Sequence, residues 1–181
     1  ASVGTSPLGH GEKAGQFKAI RRGWFDAGDY GQYMTNAAPV WFAVSTGLDL
    51  APRNFRDGDL GIPESGNGIP DILDELEWGM DWALSMQDSD GGVYWRIASQ
   101  RWDEGLPGQV ERPRFIFEKT TQATAVFAAM AASHARLIAP WRPERSRQVL
   151  EAARAACFFK CTQARDNLAW ITNQFTTEAN S

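Results

Sequence analysis

Asp26 and Asp29 stand three residues apart in the segment Gly23-Trp24-Phe25-Asp26-Ala27-Gly28-Asp29-Tyr30-Gly31-Gln32-Tyr33, directly ahead of an apolar run with helical spacing. Gly28 and Gly31 admit backbone angles that side-chain-bearing residues avoid, so a tight turn is expected, with both carboxylates pointing the same way. Trp24, Phe25, Tyr30 and Tyr33 supply flat faces suited to stacking under a pyranose ring while the carboxylates address its hydroxyls or a water molecule. Paired acids among aromatics therefore suggest carbohydrate chemistry. A structural reading competes with it: Asp29 as the N-cap of the following helix and Asp26 as a brace for the turn. Spacing alone leaves both open.

The whole string resembles the motif of glycoside hydrolase family 9, the inverting cellulases, whose pattern reads approximately G-G-W-Y/F-D-A-G-D-Y-G-K-Y. Three further segments resemble the family in order: the loop and helix start Gly61 to Glu75, Asp90-Gly91-Gly92-Val93-Tyr94, and the Ala/Thr-rich helix from Thr120 to Ile138. The likeness runs from Gly23 to Ile138 and fades at both ends. It implies that Asp29 is the general base activating the attacking water and that Asp26 helps to hold that water. It implies hydrolysis of β-1,4-linked glucan, cellulose or cellodextrin, with inversion. Inversion needs two carboxyl groups about 6.5–9.5 Å apart on opposite faces of the sugar. Asp26 and Asp29 share one loop and are not that pair; the resemblance places the acid on a glutamate near the end of a longer domain. The chain is accordingly expected to be an incomplete catalytic domain lacking its acid. A carbohydrate-binding remnant, and an exo-acting relative on chitosan oligosaccharides or cellodextrins, stay open as alternatives.

The resemblance adds Tyr94 and Trp95 to Trp24, Tyr30 and Tyr33 as candidate substrate-binding residues. The family commonly follows Asp-Gly-Gly-Val-Tyr with histidine and lysine, where this chain has Trp95 and Arg96. Trp95 would widen the stacking surface or block one end of a groove; core packing is the competing reading.

The elements that must hold these residues read as helices. Gln32 to Thr46 carries Tyr33, Ala37, Val40, Trp41 and Val44 at three- and four-residue steps, with Pro39 inside and Gly47 as the stop. Asp71 to Gln87 has the stripe Ile72 or Leu73, Leu76, Met80, Ala83 and Leu84, with Pro70 suited to its start and acids in its first turns. Thr121 to Ile138 repeats Phe127, Met130, His134 and Leu137 and is stopped by Pro140; Pro143 to about Thr162 is a fourth candidate. Only Gly92–Ile97 alternates like a strand. An all-α fold follows, refined by the resemblance to a partial (α/α)6 barrel. Residues 1–22 are expected to be an irregular N-terminal segment, and 23–181 one incomplete catalytic domain. An apolar seam left open by a partial barrel would favour aggregation or pairing.

Composition narrows the partners. A net charge of −4 supplies no basic stripe for phosphate neutralisation, so nucleic acid is not expected. No apolar run is long enough to cross a bilayer. Ala1–Gly15 lacks the regions of a signal peptide, and a secreted or periplasmic location rests on the resemblance. Cys157 and Cys161 read as small buried residues of a helix, and neither they nor His10 and His134 have metal-ligand spacing. Asp57-Gly58-Asp59 and Asp88-Ser89-Asp90 superficially suggest calcium but lack the remaining ligands. No metal or cofactor is expected. Nothing fixes an oligomeric state.

Overall fold

A computed structural model describes residues 2–5, 17–102, 105, 106, 109 and 113–159. Strands β1 (Ser2–Thr5), β2 (Phe17–Ile20) and β3 (Gln32–Tyr33) precede helix α1 (Met34–Leu50) and a 3-10 turn at Pro52–Asn54. Helix α2 (Asp71–Ser85), strands β4 (Arg96–Ala98) and β5 (Phe115–Ile116), and helix α3 (Thr121–Ile138) follow. A fourth helix, α4, covers residues 143–159. The molecule is mostly helical, as expected. Residues 1–22, expected to be irregular, nevertheless carry β1 and β2, and the described sheet has five short strands in the order β2-β1-β5-β4-β3.

Those strands escape a periodicity search because two to four residues cannot establish alternation; pairing defines them. β1 lies antiparallel to β2 and parallel to β5 through Thr5 and Phe115. β4 is antiparallel to both β5 and β3, setting Gln32 opposite Ile97 and Tyr33 opposite Arg96. The alternating Gly92–Ile97 piece contributes isolated bridges at Val93 and Tyr94 before β4 begins. Ile20, Ile97 and Ile116 turn from the sheet into the core.

Helix α1 buries Met34, Ala38, Trp41, Ser45 and Leu48, a stripe rotated about one residue from the expected one. Val40 is instead exposed. The rotation follows from the start of α1: Tyr33 is strand and N-cap, not first helical residue. Pro39 lies on the exposed face, where water can reach the carbonyl that lost its partner. Gly47 does not stop the helix; its bare Cα faces the Phe55 ring, which a Cβ would approach to 3.3 Å. Helix α2 buries Leu73, Leu76, Met80 and Ala83 as expected, together with Trp82. Helix α3 begins at the cap Thr120, whose hydroxyl accepts from the Ala123 amide, and buries Phe127 and Met130.

His134 occupies an apolar stripe but is not simply core filling. Its Nε2 lies 2.6 Å from Glu77 Oε1, and Arg145 of α4 donates to Glu77 Oε2 at 3.0 Å. Arg145 also donates to Asp81, and Arg142 donates to Asp74. These bonds tie α2 to α3 and α4. Cys157 is exposed, contrary to its expected burial, since α4 turns Val149, Ala153 and Ala156 inward. Cys161 and His10 lie outside the described residues.

Candidate active site

The Asp26–Gly31 loop is closed by its own backbone: the Asp26 amide donates to the Gly31 carbonyl at 2.8 Å and the Tyr30 amide to Ala27 at 3.0 Å. The expected glycine roles change here. Gly28 and Gly31 do not adopt positive φ; Tyr30 does, at 51°, as do Arg22 and Gly23 before the loop. Gly31 is needed for space, since a Cβ there would meet the Tyr33 ring at 2.5 to 2.9 Å.

That close approach aims Tyr33 at the loop. Its hydroxyl donates to Asp29 Oδ2 at 2.7 Å while the Gly31 amide donates to Oδ1 at 3.0 Å. Asp29 does not cap α1, whose N-cap is Tyr33 without a side-chain bond. The Tyr33 hydroxyl pulls the Asp29 pKa below the ordinary carboxylate value; partial burial opposes this, and the Gly31 amide and the Arg96 charge assist it. Asp29 is thus a carboxylate near neutral pH, fit to accept a proton rather than to give one. Asp26 is exposed and accepts from Asn36 Nδ2 of α1 at 3.1 Å.

Two recesses meet at Tyr33. One, about 120 Å³, is lined by Asp26 with Trp24, Phe25, Asn36, Val40 and Trp82. The other, about 220 Å³ and more polar, is lined by Asp29 with Arg96, Ser99, Gln100, Arg101 and Trp102. The expected aromatics divide accordingly. Trp24 lines the Asp26 recess, but its indole N–H donates to Glu75 Oε1 at 2.6 Å and its ring rests on bare Gly79. Tyr30 lines neither recess: its ring packs on Phe25, its hydroxyl donates to the Gly105 carbonyl, and its own carbonyl accepts from Arg114.

Tyr94 is 7% exposed, donates to Asp88 and lines neither recess. Trp95 packs between Tyr33 and Phe117, supporting the site from behind. Trp102, 65% exposed, and Arg96 also line the Asp29 recess; no spacing rule in the sequence joins either to Asp29, although Arg96 marks a departure from the resembled motif.

The calcium-like segments are satisfied by donors of the chain itself. Both Asp57 oxygens accept backbone amides, from Gly66 and Gly68. Asp88 and Asp90 share the Lys119 ammonium, at 3.0 and 2.5 Å. Among the described residues no cluster of three His, Cys, Asp or Glu side chains could hold a metal ion.

The sequence model described as Glycosyl hydrolase family 9 matches residues 4–178. Endoglucanase C of Cellulomonas fimi is 36% identical over 149 residues, covering 75% of this chain and 13% of that protein. A xyloglucan-specific endo-β-1,4-glucanase of Bacteroides ovatus is 34% identical over 148 residues, covering 79% and 25%. Among solved structures, a metagenome-derived glycoside hydrolase family 9 endoglucanase superposes with a TM-score of 0.85 at 40% identity, covering 89% of this chain and 30% of its own. The chain thus spans about a quarter or less of these two curated relatives.

Proposed function

From its membership of glycosyl hydrolase family 9, to which the match over residues 4–178 shows that this chain belongs, we propose that it serves the hydrolysis of β-1,4-glycosidic bonds in a glucan with inversion. Asp29 is the general base and Asp26 assists in holding the water. The observation that carries this reading is the Asp29 carboxylate, held by the Tyr33 hydroxyl and the Gly31 amide at the edge of a polar recess. As water attacks the anomeric carbon, its proton passes to Asp29, the bond to the leaving oxygen breaks, and that oxygen takes its proton from an acid on the opposite face. Among the described residues Asp29 is the one carboxyl lining its recess, and it is assigned the base's part alone.

Tyr33 and exposed Trp102 flank this carboxylate and are assigned to the sugar faces. Phe25 and Trp24 are assigned to the Asp26 side. The names of the relatives, endoglucanases and a xyloglucan-specific endo-β-1,4-glucanase, support a β-glucan as substrate. A polymer of this kind is met outside the cytoplasm, where the protein is proposed to act; no helix among the described residues is long and apolar enough to cross a membrane.

The test is hydrolysis of a soluble β-1,4-glucan with the product anomer followed by NMR. Inversion gives the α-anomer first, and Asp29→Asn lowers kcat by roughly 10²–10⁴. Initial β-anomer, or an Asp29→Asn variant with wild-type turnover, refutes the assignment. Sugar binding without turnover favours a non-catalytic carbohydrate-binding remnant, a role that the exposed faces of Phe25 and Trp102 would also serve.

A further inference from the structure

Strand pairing places Arg96 of β4 opposite Tyr33 of β3, and the two side chains line the same recess as Asp29. The guanidinium lies 3.8 Å from the Phe117 ring centre, 4.4 Å from that of Trp95 and 5.8 Å from that of Tyr33. Three aromatic faces therefore seat one cation, an arrangement that stabilises a positive charge without neutralising it. Arg96 forms no salt bridge among the described residues, whereas Arg142 and Arg145 are bound to carboxylates of α2.

We propose that Arg96 is a positioning residue for Asp29: seated on Phe117, Trp95 and Tyr33, it fixes the tyrosine whose hydroxyl holds the carboxylate, and it keeps a positive charge beside that carboxylate. The other groups that share this recess with Asp29 are Tyr33 itself and Arg101 from the segment after β4, while Asp26 of the same loop lines the neighbouring recess. Arg101 is exposed and therefore screened by water, while the aromatic seat keeps Arg96 partly dry. A lysine would carry the charge without the planar face that covers the rings. The proposal rests on the reading of Asp29 as the base only where turnover is concerned.

The experiment uses the full protein, with Arg96→Met and Arg96→Lys. Two quantities are read: the Asp29 carboxyl titration by carbon NMR, and kcat and KM on soluble β-1,4-glucan across pH. Arg96→Met is expected to move the titration and the acidic limb of kcat to higher pH, with kcat lowered roughly tenfold near neutrality. KM should change much less. Arg96→Lys should return the limb towards its original place while leaving kcat roughly threefold low.

A folded Arg96→Met protein whose Asp29 titrates as in the wild type overturns the proposal. Should that variant not fold, a cycle of Arg96→Lys with Tyr33→Phe decides. Effects on kcat that overlap support a shared path, and effects that simply multiply overturn it. If Asp29→Asn retained turnover, the base assignment would fall, while the NMR titration would still report the coupling of Arg96 to Asp29.

Discussion

At the scale of single residues, the site depends on how closely Tyr33 can approach the loop it serves. The Tyr33 ring occupies the space that a Cβ on Gly31 would take, so the glycine in this position is a matter of volume rather than of backbone angle. Gly31→Ala is expected to push the ring away, break the bond from its hydroxyl to Asp29 and cost about 1–3 kcal/mol of stability by overpacking. Thermal unfolding measures the cost, and a rise of the acidic limb of activity reports the lost bond; an unchanged limb would mean that Tyr33 does not govern Asp29. The two aspartates and Tyr33 were legible from the motif. The part of Arg96 was not, since its neighbours Tyr33, from β3, and Phe117, just after β5, lie far from it in sequence.

At the scale of elements, α2 organises the interior through carboxylates that its sequence suggested were favourable only for the helix end. Asp71 is buried, and burial pushes its carboxyl up; the Gly58 amide, the Ser65 hydroxyl and the Leu60 and Gly61 amides outweigh that and hold its pKa at about 2. Asp71 therefore anchors the long loop before α2 to the helix. Because its folded value lies below the ordinary 3.8, its stabilisation is fully present above 3.8 and is lost as pH falls towards about 2. Urea midpoints should fall over that window in the wild type and less steeply in Asp71→Asn.

Glu77 links α2 to His134 of α3 and to Arg145 of α4. Glu77→Ala leaves Arg145 partly and His134 wholly buried beside an empty partner site and is expected to cost about 3 kcal/mol at neutral pH, read from denaturant unfolding. A loss under about 0.5 kcal/mol, the range of ordinary surface changes, would show that this pairing does not hold the helices together. Helices α2 and α3 were legible because apolar residues at three- and four-residue steps reveal a buried face whatever lies against it. The rotation of α1 was not, because it follows from Tyr33 being held in β3.

At the scale of the whole molecule, Val40, Phe42 and Leu50 of α1, Trp78 of α2 and Trp141 before α4 expose large apolar surface, from 39 to 81% of each residue. Such surface favours association. The isolated 181-residue chain, 20.0 kDa, is expected to elute above its monomer mass in a concentration-dependent way, and replacing Phe42 and Trp78 by serine should reduce that; monomeric elution at every concentration would contradict it. The sequence by itself determined the predominantly helical class, the positions of α2 and α3, and the loop that carries Asp26 and Asp29, because periodicity, capping and a contiguous motif are local properties of the chain. Only the tertiary structure decided that Tyr33 separates two recesses, that Tyr94 belongs to the core, that Lys119 fills the Asp88 and Asp90 turn, and that Arg96 stands beside Asp29. Each of those contacts joins segments far apart in sequence, and such contacts are fixed by strand register and core packing, which residue spacing within one segment does not encode.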